Sequence, residues 1–174
     1  AWNSWGVLEP TVAKEGNVYK MWYTGISADN PSNQKSMLIR LGYATSPDGS
    51  NWSVHEGNPV LDLAKIPLDD PNSKEAATFN TAFFVLNNGR EYELWYFGGA
   101  SPDIYATSQD GIHWMKQEGE VIPEGKEGEW DSWSVNSPSV VIEADGTYTM
   151  WYMGWTIGYK RGLQFGIGHA RKSQ

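Results

Sequence analysis

An all-β domain assembled from a repeated sheet unit is what this 174-residue sequence predicts. Three observations carry that expectation. A five-residue phrase occurs three times, as Met21-Trp22-Tyr23-Thr24-Gly25, Leu94-Trp95-Tyr96-Phe97-Gly98 and Met150-Trp151-Tyr152-Met153-Gly154, each with a tyrosine three residues before the tryptophan (Tyr19, Tyr92, Tyr148). The segments around each phrase are short, rich in β-branched and aromatic residues, and bounded by Gly, Asn, Asp or Pro, which is how strands between turns are written. No segment holds ten or more residues of helical period, so helix should be negligible.

Taken in order, the first unit offers four strands: Thr11-Val12-Ala13, Val18 to Tyr23, Leu38 to Thr45 and Trp52 to Val54. Glu15-Gly16-Asn17 and the Asp-Gly pairs at 48-49, 110-111 and 145-146 supply turn residues that tolerate positive φ. Tyr43-Ala44-Thr45-Ser46-Pro47-Asp48-Gly49-Ser50-Asn51-Trp52 returns as Tyr105-Ala106-Thr107-Ser108-Gln109-Asp110-Gly111-Ile112-His113-Trp114. Upstream, Trp2, Trp5 and Pro10 are spaced as Trp130, Trp133 and Pro138, while the second unit opens on Thr78-Phe79-Asn80-Thr81-Ala82. The units run over about 8–61, 78–122 and 135–171, and the third stops after Gly166-Ile167-Gly168-His169-Ala170-Arg171, before an Asp-Gly-x-x-Trp and a fourth strand.

Four antiparallel strands in about 45 to 60 residues make the blade of a β-propeller. The expectation is therefore one domain over 1–174, a partial propeller of about three four-stranded blades whose third lacks its outer strand. An open edge invites pairing, so the chain is either a fragment of a five-bladed propeller or one half of a homodimer that closes a six-bladed ring. Adjacent strand residues face opposite sides, which places each tryptophan between blades and the tyrosine after it on the other face. The Asp of each Asp-Gly-x-x-Trp should bond turn amides.

Composition narrows the partners. Thirteen Lys plus Arg against twenty-one Asp plus Glu give a net charge of -8 with no basic run, which opposes a nucleic acid. There is no cysteine, so no thiol metal site or disulfide frame can form. No apolar run approaches the roughly 18 residues of a membrane span, and Ala1-Trp2-Asn3-Ser4-Trp5 lacks the basic start and apolar stretch of a signal peptide. A soluble chain without membrane partner, metal or cofactor is expected.

The phrases Tyr-x-Met-Trp-Tyr-x-Gly (Tyr19 to Gly25, Tyr148 to Gly154) and Gly-Tyr-Ala-Thr-Ser-Pro-Asp-Gly-x-x-Trp (Gly42 to Trp52) resemble those of the five-bladed propeller glycosidases, glycoside hydrolase families 43, 62, 32 and 68, with the family 130 phosphorylases as neighbours. The resemblance spans nearly the whole chain and implies a carbohydrate partner, with secretion or a periplasmic location favoured. It also implies a site at one mouth of the central shaft, built from carboxylates on innermost strands. Glycoside cleavage needs two, a proton donor and a base or nucleophile.

Aligned by their prolines, the units put Leu8, Asn80 and Asn136 in one column and Glu9, Thr81 and Ser137 in the next, so Glu9 is the one acid there. Glu9-Pro10 resembles the acid-Pro step that opens the first blade of several of these families, where the acid serves as base or nucleophile. Asp131, in Trp130-Asp131-Ser132-Trp133, and Glu75, before the second unit, are candidates for the second carboxylate, with Asp103 a further acid. Asn80, Asn136, Trp155 and His169 are candidates for substrate contacts. His169 breaks the column of Tyr43 and Tyr105, and Trp155 has no aromatic counterpart in Ile26 or Gly99. Arg40 and Arg161 are the cations a phosphorolytic enzyme would turn to phosphate. Two functions follow: a carbohydrate-active enzyme, or a non-catalytic glycan- or protein-binding module on the same scaffold.

Overall fold

The computed structural model describes residues 1–32, 34–69, 81–97, 104–118, 121–158 and 162–172. Among them every regular element is a strand, and three antiparallel sheets follow one another along the chain. The first is the meander β1 (Gly6–Glu15), β2 (Val18–Ala28), β3 (Ser36–Ser46) and β4 (Ser53–Val54), with β5 (Leu61–Pro67) on the same edge of β3 as β4. The second is β6 (Phe83–Asn87), β7 (Tyr92–Tyr96), β8 (Ile104–Ser108) and β9 (Met115–Gln117). The third has three strands, β10 (Ser134–Ile142), β11 (Tyr148–Gly158) and β12 (Gly162–Lys172).

Strand β2 outruns its expected end at Tyr23, and in both β2 and β11 the glycine of the repeated phrase lies inside the strand. Gly25 sits within β2 beneath the Trp2 ring, where a Cβ would meet Trp2 Cζ3 at 2.0 Å. Gly154 sits within β11 beneath Trp130, with Cζ3 2.6 Å from the same imaginary atom. Glycine here admits an indole to the sheet surface. Strand β5 is likewise an addition, formed where the first unit was expected to end.

Trp22 is fully buried and donates from Nε1 to the Gly111 carbonyl of the second sheet at 2.7 Å, while Tyr23 turns to the opposite face against Trp2, ring centroids 5.8 Å apart. One core fills the space between sheets one and two, with Trp22, Ile39 and Leu41 against Phe83, Leu94 and Tyr96. A second joins sheets two and three through Trp95, Phe97, Val135, Val140 and Met150. Strand β6 touches both β1 and β10, so the first strands of the three sheets stand side by side.

The repeated turns close as their residues require. Asp48 Oδ1 accepts from the amides of Ser50 and Asn51, both at 2.8 Å, and Asp110 Oδ1 from those of Ile112 and His113 at 2.9 and 2.8 Å. Gly49 and Gly111 hold φ of 77° and 79°, a region open to a residue without Cβ.

Candidate functional site

The first strands of sheets one and three share one irregularity. In β1, Leu8 faces Thr24 and Thr11 faces Trp22, so Glu9 and Pro10 together stand opposite Tyr23. In β10, Asn136 faces Met153 and Ser139 faces Trp151, so Ser137 and Pro138 stand opposite Tyr152. Glu9 and Ser137 take φ of 50° and 51°, although a residue before proline is normally driven to extended backbone. A bulge of this kind re-aims one side chain out of the pleat, and both residues are exposed. Holding a non-glycine residue there costs about 1–3 kcal/mol. Thr81 behaves otherwise: it is buried, and its carbonyl accepts the Thr24 hydroxyl at 2.8 Å.

Beside the second bulge, Asn136 is 4% exposed and its Oδ1 has no hydrogen-bond partner. Ser134 Oγ and Trp133 Nε1 are buried and unpartnered as well. Trp155, opposite Ser134 in register, lies between Trp133 and Phe165 with ring centroids 6.1 Å away on either side. Asn136, Ser137 and Trp155 are thus brought to one end of the third sheet, while Glu9 holds the corresponding bulge of the first.

The remaining candidates are placed differently. Asp131 is buried, takes the Tyr152 hydroxyl on Oδ2 at 3.2 Å and packs against Gly154, so its carboxylate positions the tyrosine stacked on Trp130. His169 is exposed on β12 and lies 5.5 Å from the Trp151 ring, in the register that sets Tyr43 beside Trp22 and Tyr105 beside Trp95. Arg40 is engaged by Asp62 of β5 at 2.9 Å. Glu75, Asn80, Asp103 and Arg161 lie outside the described residues. Among the described residues no group of three or more His, Asp or Glu is placed to hold a metal ion.

Two carboxylates that the repeat comparison passed over sit between sheets. Glu15 accepts from Lys20 at 2.7 Å, from the Tyr92 hydroxyl at 2.6 Å and from Asn87 at 2.9 Å. Burial works against the Glu15 charge, but these hydrogen bonds together outweigh it and hold the carboxyl below its ordinary value. Glu93 is 5% exposed and accepts the hydroxyls of Tyr105 and Tyr148 and the amide of Asn88. Burial, with the Glu93 charge beside it, pushes the Tyr105 hydroxyl well above its ordinary range. Glu93 lines a cavity of about 800 Å³ between sheets two and three, which also meets Tyr105, Tyr148 and Arg171 and does not include Glu9. The signal for Glu93 was in the sequence, since it is the one acid in the column of Lys20 and Thr149.

Comparison with solved structures places this architecture. A glycoside hydrolase aligns over 97% of this chain and 47% of its own, with a TM-score of 0.67 at 18% identity. A GH32 β-fructofuranosidase of Bombyx mori aligns over 93% of this chain and 33% of its own, TM-score 0.63 at 17% identity. A thermostable family-43 glycoside hydrolase aligns over 94% and 48%, TM-score 0.60 at 15% identity. The fold is that of the propeller glycoside hydrolases. No family model matches the propeller's sequence. By sequence the chain is 30% identical over 159 residues to uncharacterized proteins of Mycobacterium tuberculosis strains H37Rv and CDC 1551, covering 87% of this chain and 47% of each of those proteins. The propeller chain therefore spans about half the length of the curated relatives it matches.

Proposed function

We propose that each sheet is one propeller blade and that the chain is carbohydrate-active, with Glu9 as an acidic catalytic residue at the shaft. The observation that carries the reading is the shared bulge. Glu9 and Ser137 occupy the same strained, proline-locked, exposed position on first strands, and only Glu9 brings a carboxylate to it. Strain stored at one residue is a cost that a functional demand on that side chain would justify. The likeness to glycoside hydrolases supports glycosidic bonds as the target. In this reading Glu9 is the base or nucleophile, and the orphaned Asn136 amide oxygen and the Trp133–Trp155–Phe165 row offer an acceptor and flat apolar faces for a sugar. The proton donor is Glu75 or Asp131, and His169 is a further hydroxyl contact.

A second reading, a glycan-binding module without turnover, is favoured by one observation. The buried carboxylates Asp131 and Glu93 are each taken up by tyrosine hydroxyls, and an acid so engaged is poorly placed to protonate a leaving group. A screen of chromogenic arabinosides, xylosides, fructosides and mannosides, the last also with phosphate, separates the two. Turnover that Glu9→Gln abolishes supports the first reading. Saturable oligosaccharide binding with no turnover supports the second, and neither binding nor turnover contradicts both.

A further inference from the structure

The segment Asn87-Asn88-Gly89-Arg90-Glu91, which turns β6 into β7, takes part in the contacts of the second sheet with both its neighbours, and Asn88-Gly89 is the one Asn-Gly step in the 174-residue sequence. Asn87 reaches the first sheet, donating from Nδ2 to Glu15 at 2.9 Å. Asn88 faces the third. Its Nδ2 donates to Glu93 Oε2 at 3.0 Å and to the Tyr148 hydroxyl of β11 at 3.4 Å, and Tyr148 donates to the same Glu93 oxygen at 2.7 Å. The amides of the turn close on the same two side chains. Gly89, at a φ of 87°, donates to Asn87 Oδ1 at 2.8 Å, and Arg90 and Glu91 donate to Asn88 Oδ1 at 2.9 and 3.0 Å.

Each sheet makes the same kind of pair here, between a residue at the end of its first hairpin and the residue two before the repeated tryptophan. In the first sheet Glu15 takes Lys20 at 2.7 Å, and in the third Glu143 takes the Thr149 hydroxyl at 2.9 Å. In the second the acid is on the strand, at Glu93, and the turn supplies a neutral amide to it. An acid at position 88 would set two carboxylates against each other, and like charges at that range disfavour one another. Glu93 is 5% exposed, so little water reaches the pair to relieve the repulsion. The contact therefore requires that residue 88 stay neutral.

An Asn-Gly step is also where an asparagine sheds its amide without an enzyme, because glycine has no side chain to hinder ring closure. We propose that Asn88 is a deamidation site gated by the contact between the second and third sheets. The Gly89 nitrogen bonds to Asn88 Cγ, the Cγ–Nδ2 bond breaks, and the proton lost by Gly89 leaves through water with the departing ammonia. Water then opens the five-membered imide at either carbonyl, leaving an aspartate or an isoaspartate. In the folded chain both polar atoms of the Asn88 amide are engaged and the Gly89 N–H is held by Asn87. The ring closes only when these bonds are released together, which is a local opening of the turn away from Tyr148. The product carboxylate then faces Glu93, so the contact does not close again as it was. Residue 88 thereby keeps a permanent mark of opening between the two sheets.

The test is incubation of the chain at neutral pH, folded in buffer and unfolded in guanidinium chloride, with peptide mass spectrometry to locate the exchange of amide for acid and the isoaspartate. Conversion at Asn88 should be at least about tenfold slower in the folded chain. Tyr148→Phe, which takes one hydroxyl from the contact, should bring the folded rate toward the unfolded one at an unchanged far-ultraviolet spectrum. Asn88→Asp, standing for the product, should lower the urea midpoint in the wild-type chain and not in Glu93→Gln, where the facing charge is gone. Absence of conversion at Asn88 in the unfolded chain overturns the site. Equal rates in the folded and unfolded chain, or a folded rate indifferent to Tyr148→Phe, overturn the gate. An Asn88→Asp loss that persists in Glu93→Gln overturns the conflict of charges.

Discussion

Among the described residues, Glu9 and Ser137 hold a backbone that their local sequence opposes. Each sits at a φ near 50° immediately before a proline, a backbone that costs a residue with a Cβ about 1–3 kcal/mol. Glycine removes that cost and returns part of it as unfolded-state entropy. Ser137→Gly should therefore stabilise the chain by up to about 1 kcal/mol, read as a higher urea midpoint at constant slope. Glu9→Gly should do the same while losing any glycoside turnover, a trade of stability against function that a structural glutamate would not show. The bulge was not legible in the sequence, because nothing about a Glu or Ser before proline announces positive φ. The column that singled out Glu9 was legible, since it needed only the repeated prolines for alignment.

At the scale of elements, close packing of an indole on a glycine fixes the strands that carry the site. Trp2 and Trp130 each lie on the central strand of their sheet through Gly25 and Gly154. Gly25→Ala puts a methyl carbon 2.0 Å from a Trp2 ring atom, and overpacking of this kind costs about 1–3 kcal/mol. The expected outcome is a lowered melting temperature with a changed near-ultraviolet signal from the displaced indole. Trp22→Ala, at a residue with no exposed surface, should cost about 3–5 kcal/mol and leave the Gly111 carbonyl short of a donor. The same strands show where sequence reading stopped short. The Trp-Tyr alternation and the Asp-Gly turns could be read directly, because period and turn chemistry are local. Strand ends could not, because whether a glycine terminates a strand or seats a tryptophan depends on a side chain more than twenty residues away in sequence.

At the scale of the whole molecule, tyrosine hydroxyls removed from water and the Glu15 carboxylate make stability depend on pH at both ends. Burial raises Tyr23, Tyr43, Tyr92, Tyr96, Tyr105 and Tyr152 above their ordinary value of 10.0. Their contribution is fully present below pH 10.0 and is lost as pH rises through the folded values, because the unfolded chain sheds those protons first. Glu15 is held below its ordinary value of 4.5, so its contribution is present above that pH and is lost as pH falls through the lower folded value. Urea unfolding should thus show a plateau between these limits and a decline outside them, and Glu15→Gln should remove its share of the acid limb, the rest belonging to Asp29, Asp48, Asp110 and Asp145, which their hydrogen bonds also hold low. The all-β architecture was open to sequence reading because repetition states it three times over, and the likeness to propeller glycosidases because the repeated phrases resemble theirs. No second acid beside Glu9 stood out in the same way, because a single residue outside the repeated columns leaves no periodic trace. The measurement that bears most directly on the account is kcat/KM for the best glycoside in wild-type chain and in Glu9→Gln, with oligosaccharide affinity determined alongside. The account predicts a fall of about 10²–10⁴-fold in kcat/KM at unchanged affinity. Turnover that survives Glu9→Gln would contradict it.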